Sequence, residues 1–337
     1  MIYPKFIKEQ GTIGVTAPSR GITDKLDLKR LNNAIKNLNE KGLNVIETEN
    51  VRTDNLGRSS SGKERAKQLE SLFLDKNIDA IISASGGDFL MEMLPYLDYE
   101  IIKKSPKWFQ GYSDPTWLTY TITTNLDIAT IYSNNFKSFG MNPWHKSLET
   151  NIEILKGNLI NQKSFEKYEL VKKKQETGLE DYNLTEKVKW KIITGEKEVF
   201  LKGRMIGGCL DVINEIYGTS YDKTKEFIEK YKNDGIIWYL ENFSLTSEDL
   251  TRVLWKLNDK GYFKNTKGII FGRSLNYQSF YNLSFEETIK SSLKDLNVPI
   301  ITDADFGHLS PRITIINGAI AEIKVKNSKG EISFILE

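Results

Sequence analysis

What most constrains this chain is a rhythm in its first 135 residues, where short apolar runs of strand length alternate with stretches of helical spacing. Thr12-Ile13-Gly14-Val15-Thr16-Ala17 is such a run, and Pro18-Ser19-Arg20-Gly21 ends it in a turn. Asp24 to Lys41 then places Leu26, Leu31, Ile35 and Leu38 near a helical period, with Gly42 as a stop. Leu43 to Ile46 reads as the next strand, Glu64 to Asp75 as the next helix, and Ile78 to Ala84 as a strand running into Ser85-Gly86-Gly87. Phe89 starts a helix, Trp108 to Gly111 is a buried strand, and Pro115 opens another helix. This βαβα order predicts an α/β fold with an open parallel sheet, whose ligands sit beyond the carboxyl ends of the strands. Gly86-Gly87 and Ser113 both fall at such ends and are expected to face one crevice.

At 337 residues the chain is too long for one ordinary core and divides into two domains. Residues 1–150 form the parallel-sheet domain. Residues 151–201, rich in Lys and Glu with scattered apolar positions, read as a linker and a long excursion; the run Lys172-Lys173-Lys174 reads as a solvated face. Residues 202–337 are mixed and β-rich: Gly207-Gly208 turns into a helix, and Ile236 to Leu240 and Gly268 to Gly272 are strands. Ser247 to Lys260 is a helix ending at Gly261, and Ile300 to Asp303 is a further strand. Arg312 to Val325 reads as two strands, and Asn317-Gly318 between them predicts a hairpin.

Composition removes several classes of function. Forty-seven basic residues stand against forty-five acidic ones, with no run of Lys and Arg interleaved with aromatics, so a nucleic-acid polymer is not expected as partner. One cysteine and two histidines leave no internal disulfide and no Cys- or His-based metal site, so no metal or cofactor is expected. The N-terminus lacks a secretory pattern and no stretch approaches eighteen apolar residues; the expectation is a cytoplasmic protein without a membrane partner.

The chemistry centres on Trp108-Phe109-Gln110-Gly111-Tyr112-Ser113-Asp114-Pro115-Thr116, a strand that stops, swings a serine out at a corner and enters a helix. It is a nucleophile elbow in outline, although Pro115 stands where an α/β-hydrolase has its second glycine. A serine hydroxyl needs a base, and the base needs a third group to orient it. His308, in the loop Asp305-Phe306-Gly307-His308-Leu309-Ser310-Pro311, suits the role of base; His145, in a turn beside no buried strand, reads as structural. Glu241, at the end of a buried strand, is a candidate orienting carboxylate, with Asp303, Asp305 and Asp114 as rivals. Donors for a developing oxyanion are available from the Asp114 N–H and from the Gly86-Gly87 turn.

In order along nearly the whole chain, these residues resemble the LD-carboxypeptidase family of serine peptidases. The motifs are Ala17-Pro18-Ser19, Asn55-Leu56-Gly57-Arg58 through Glu64-Arg65-Ala66, Ser85-Gly86-Gly87 and Gly111-Tyr112-Ser113-Asp114. Further on come Gly203-Arg204-Met205-Ile206-Gly207-Gly208, Trp238-Tyr239-Leu240-Glu241 with Arg252, Gly268 to Gly272, and Phe306-Gly307-His308. The resemblance implies a triad of Ser113, His308 and Glu241, an oxyanion hole from the amides of Gly87 and Asp114, a flavodoxin-like N-terminal domain, a β-rich C-terminal domain and a homodimer. It is stronger toward the branch of microcin C self-immunity proteins, whose longer excursion brings aromatic residues to the substrate's nucleotide. Trp190 holds the matching place, and Cys209 stands where that branch usually has asparagine, so Gly86, Trp190 and Cys209 are expected to meet substrate. The implied reaction is hydrolysis of a peptidyl- or aminoacyl-nucleotide at the amide between the aminoacyl part and the nucleotide. The alternatives are release of D-alanine from murein tetrapeptides, or sequestration of such a ligand without turnover.

Overall fold

Strand β1 (Thr12–Thr16) leads to helix α1 (Lys25–Glu40), β2 (Asn44–Glu47) to α2 (Gly62–Leu74), and β3 (Ala80–Ser83) through a short 3₁₀ segment to α3 (Tyr99–Lys104). Strand β4 (Trp108–Gly111) follows, then α4 (Thr116–Leu126), β5 (Thr130–Tyr132) and α5 (Lys146–Leu155). In the computed structural model, which describes residues 1–337, these five strands lie parallel in the order β2-β1-β3-β4-β5, the flavodoxin-like winding. β3 and β4 are buried along their whole length, which is why they read as continuous apolar runs. α1 starts where the Asp24 carboxylate accepts the N–H groups of Leu26 and Asp27. It buries Leu31, Ala34 and Leu38 on one face, each leucine worth roughly 1.5–3 kcal/mol. The winding reverses between β1 and β3, so a crevice opens beyond their carboxyl ends, beside the turn after β4.

After α5 come four short strands, β6 (Gln162–Lys163), β7 (Lys167–Tyr168), β8 (Glu186–Lys187) and β9 (Lys191–Ile192). The long β10 (Glu198–Cys209) runs directly into α6 (Leu210–Ile216), followed by α7 (Thr224–Lys230), β11 (Ile236–Glu241), α8 (Ser247–Asp259), β12 (Thr266–Gly272), α9 (Phe285–Ser292) and β13 (Ile300–Ala304). The chain ends with β14 (Ile315–Asn317), β15 (Ile320–Lys326) and β16 (Lys329–Ile335). Eight of these strands form a mixed sheet, β6-β16-β15-β10-β11-β12-β13-β9, so two strands of the excursion close its two edges while β7 and β8 pair with each other. No helix is long and apolar enough to cross a membrane.

Four local expectations change. The segment after Phe89 winds as a 3₁₀ helix that contains Pro95, which cannot supply an interior helical N–H. Lys146–Leu155, partly assigned to the linker, is a helix that buries Leu148, Ile152 and Leu155. Gly207 and Gly208 lie within β10 and not in a turn. The Asn317-Gly318 pair makes no hairpin: β14 pairs antiparallel with β5 in the first sheet, while β15 pairs with β10 and β16 in the second. The tight hairpin is one link further on, between β15 and β16, where Asn327 and Ser328 both take left-handed φ values of 51° and 60°.

Candidate active site

The turn after β4 holds Ser113 at φ 70°, a left-handed conformation that costs a non-glycine residue about 1–3 kcal/mol and persists where the surroundings fix it. Here they do. Asn135 clamps Tyr112 from both sides, its side-chain oxygen accepting the Tyr112 N–H at 3.1 Å and its amide donating to the Tyr112 carbonyl at 3.3 Å. Beyond the turn, the Thr116 N–H reaches the Ser113 carbonyl at 2.8 Å and starts α4. The serine side chain is thereby aimed out of the sheet.

Ser113 Oγ lies 2.9 Å from His308 Nε2, and His308 Nδ1 lies 2.8 Å from Glu241 Oε2. The same oxygen accepts the His308 backbone N–H at 3.2 Å, and the other carboxylate oxygen accepts the Tyr132 hydroxyl at 2.6 Å. Glu241, the last residue of β11, has no exposed surface. Burial alone would raise its carboxyl, but His308, the Tyr132 hydrogen bond and the Arg312 charge hold it below the ordinary carboxylate value. Gly307, at φ 98°, makes the approach possible: a Cβ there would sit 2.6 Å from Glu241 Oε2. Aromatic rings hold the imidazole on two sides, Phe243 with centroids 4.3 Å apart and Tyr112 at 5.3 Å.

Two buried arginines fix the loop that carries His308. Arg312 donates to the Gly307 carbonyl at 2.9 Å and to Asn134 at 2.7 Å. Arg273, just past β12, pairs with Asp305 at 2.6 Å and donates to the Leu309 and Pro311 carbonyls. Of the rival carboxylates, Asp305 is therefore committed to Arg273, Asp303 bridges to Lys191 at 2.8 Å, and Asp114 accepts from Ser19 Oγ and from the Leu90 N–H. Only Glu241 touches the histidine. His145 caps α5, accepting the Ser147 N–H at 3.2 Å, and burial depresses its imidazole to about 4.

These groups open onto a cleft of about 950 Å³. Gly86 and Gly87 line it beside Ser113 and Asp114, and the backbone N–H groups of Gly87 and Asp114 donate to no acceptor of the protein itself. A Cβ on Gly87 would meet Ser19 Oγ at 2.2 Å, so that turn has room for glycine alone. Cys209 also lines the cleft; burial, then the charges of Glu241 and Asp211, push its thiol well above its usual range.

Trp190 does not line the cleft. It is 2% exposed, its indole N–H donates to Asp305 at 2.8 Å, and its ring covers Gly330 in the β15–β16 hairpin. The reason lies in the alternation of Lys187-Val188-Lys189-Trp190-Lys191, which turns Val188 and Trp190 inward and the lysines to solvent. The excursion reaches the cleft through Lys172 instead, a member of the lysine run read as a solvated face. Other side chains without a sequence signal are Tyr132, Arg273, Arg312 and Asp211, whose carboxylate holds the loop after Glu241 through the N–H groups of Phe243 and Ser244, both at 2.9 Å. No group of three or more His, Cys, Asp or Glu is placed to hold a metal ion.

Residues 13–133 match the family model of the LD-carboxypeptidase N-terminal domain, and residues 202–323 match that of the LD-carboxypeptidase C-terminal domain. The chain belongs to the LD-carboxypeptidase family. That makes it a hydrolase of the peptidase class. Among its relatives, the probable murein peptide carboxypeptidase of Bacillus subtilis is 24% identical over 94% of this chain and 90% of its own length. The microcin C7 self-immunity protein MccF of Escherichia coli is 25% identical over 88% and 86%. A solved structure of MccF in complex with aspartyl sulfamoyl adenosine superimposes with a TM-score of 0.83 at 23% identity, covering all of both chains. The fold of this LD-carboxypeptidase family member is thus shared along its whole length.

Proposed function

We propose that the protein is a serine-type amidase in which Ser113 is the nucleophile, His308 the general base and Glu241 the residue that orients and charge-balances His308. The observation that carries this reading is the continuous row of contacts, 2.9 Å from Ser113 Oγ to His308 Nε2 and 2.8 Å from His308 Nδ1 to Glu241, at the wall of a cleft with free amide donors. His308 takes the Ser113 proton as Oγ attacks the substrate carbonyl, and the Gly87 and Asp114 N–H groups receive the oxyanion. The imidazolium then protonates the leaving nitrogen. Water, deprotonated by His308, releases the acyl group and restores the serine.

The substrate we propose is a small peptidyl- or aminoacyl-nucleotide of the microcin C type, cut at the amide that joins the aminoacyl part to the nucleotide. Supporting it are the aminoacyl sulfamoyl nucleoside held by the MccF structure, and the Trp117 and Phe243 rings in this cleft, which offer apolar surface to a flat group. A second reading, release of D-alanine from murein tetrapeptides, gains from the burial of Trp190, which removes the aromatic assigned to the nucleotide. Purified protein incubated with each substrate separates them: microcin-type cleavage without D-alanine release is the expected result, and the reverse pattern overturns it. Ser113→Ala addresses catalysis itself. It is expected to lower turnover by a factor on the order of 10⁴ or more, whereas a protein that merely sequesters ligand would protect as well with alanine as with serine.

A further inference from the structure

The phenol of Tyr132 touches both sides of the proposed machinery. Its hydroxyl donates to Glu241 Oε1 at 2.6 Å and accepts the N–H of Ser113 at 3.4 Å. Glu241 Oε2 is already engaged by the ring and backbone N–H groups of His308, so Tyr132 is the one protein donor to the remaining oxygen. Tyr132 is 1% exposed and Glu241 fully enclosed, which leaves the hydroxyl no solvent competitor. Its backbone is pinned as well, opposite Gly111 of β4 on one side and Ile315 of β14 on the other.

We propose that Tyr132 is a positioning residue that sets the proton affinity of the Glu241–His308 pair and keeps the Ser113 turn in register with it. The inference rests on reading Ser113 and His308 as nucleophile and base. A hydrogen bond donated to a carboxylate stabilises its anionic form most, so it lowers the affinity of the coupled pair for its proton. Take the phenol away and the pair holds that proton to higher pH, where His308 ought to be free to accept one from Ser113. The other titratable or charged groups around Glu241 are Arg312 from the His308 loop, Cys209 at the end of β10, Tyr239 on β11 and Asp211 beyond Cys209. None of them hydrogen-bonds Oε1. Tyr132 itself stays a donor throughout, because burial and the Glu241 charge push its hydroxyl well above its usual range.

The test compares Tyr132→Phe with Tyr239→Phe. Tyr239 is equally buried, its ring lies 5.4 Å from that of Tyr132, and its hydroxyl donates to Asn317 at 2.7 Å without touching Glu241. The chain has two histidines, so the His308 imidazole can be followed by NMR titration without any substrate. In Tyr132→Phe the midpoint of the pair is expected to rise by roughly half a unit to one unit. Turnover should fall by roughly ten- to a hundredfold with KM within about twofold of the parent. Tyr239→Phe is expected to lose comparable thermal stability while keeping midpoint and turnover. A fluorotyrosine at position 132, a stronger donor of nearly the same shape, moves the midpoint downward and serves if the phenylalanine variant does not fold. An unmoved midpoint in both position-132 variants, or equal effects at 132 and 239, overturns the proposal. The titration judges Tyr132 independently of Ser113→Ala, which judges the amidase reading.

Discussion

Asp114→Asn should make this protein more stable at neutral pH, by an amount that depends on pH in a defined way. The Asp114 side chain is 4% exposed, and burial pushes its carboxyl from 3.8 up to about 6, against hydrogen bonds from Ser19 and Leu90 that favour the ionised form. A raised carboxyl means that the folded state binds a proton which the unfolded state has released, so stability falls as pH rises from about 4 to 6 and stays lower above it. A rise of about two units amounts to ~3 kcal/mol. Both accepted hydrogen bonds end on the same oxygen, Oδ2, so an asparagine carbonyl can keep them while its NH₂ faces the cleft. Urea unfolding of parent and variant should show the asparagine ahead by roughly 1.5 kcal/mol at pH 5 and ~3 kcal/mol at pH 7.5. Activity should be largely retained, since the group assigned to the oxyanion is the backbone N–H. A stability difference that is flat across this range would refute the reasoning.

Two further outcomes follow from packing. Trp190→Phe leaves Asp305 short of one buried donor and should cost about 1–3 kcal/mol in unfolding free energy while leaving KM unchanged for every substrate turned over; a raised KM with unchanged stability would return the indole to the substrate. Gly87→Ala drives a methyl group into Ser19 Oγ, and displacing one amide donor should lower kcat by roughly 10²–10³-fold with a smaller change in KM. Wild-type kcat in that variant would remove Gly87 from the oxyanion site.

The parallel half was legible because buried parallel strands are short apolar runs between turn residues, and their carboxyl ends mark the crevice without further information. Ser113, Glu241 and His308 were each visible as a type of residue at a type of place: a serine at a strand-to-helix corner, an acid ending a buried strand, a histidine in a glycine loop. What joined them was the family resemblance, since spacing left Asp303, Asp305 and Asp114 in contention. Trp190 was misplaced because its position ahead of Gly203-Arg204 says nothing of where its ring points; the period-two alternation from Lys187 to Lys191 did carry that information. Asn317-Gly318 signalled a turn correctly, but a turn does not choose its partners, and β5 had an open edge to offer. Tyr132 reaches Glu241, Arg273 reaches Asp305 and Arg312 reaches Asn134 across 30 or more residues of chain, where no local pattern could reveal the contact.

The crossing of β14 into the first sheet limits how this molecule can move. Seven residues after His308 the chain is hydrogen-bonded to β5, the strand that carries Tyr132 and neighbours the one ending at Gly111. His308 is thus moored on its C-terminal side to the sheet that carries Ser113, while Glu241 belongs to the other. The same loop is tied to the eight-stranded sheet through Arg273 and Asp305, so any rocking of one sheet against the other would strain the contacts among Ser113, His308 and Glu241. A fragment ending before residue 315 would leave the β5 edge bare and open to pairing with a strand of another molecule.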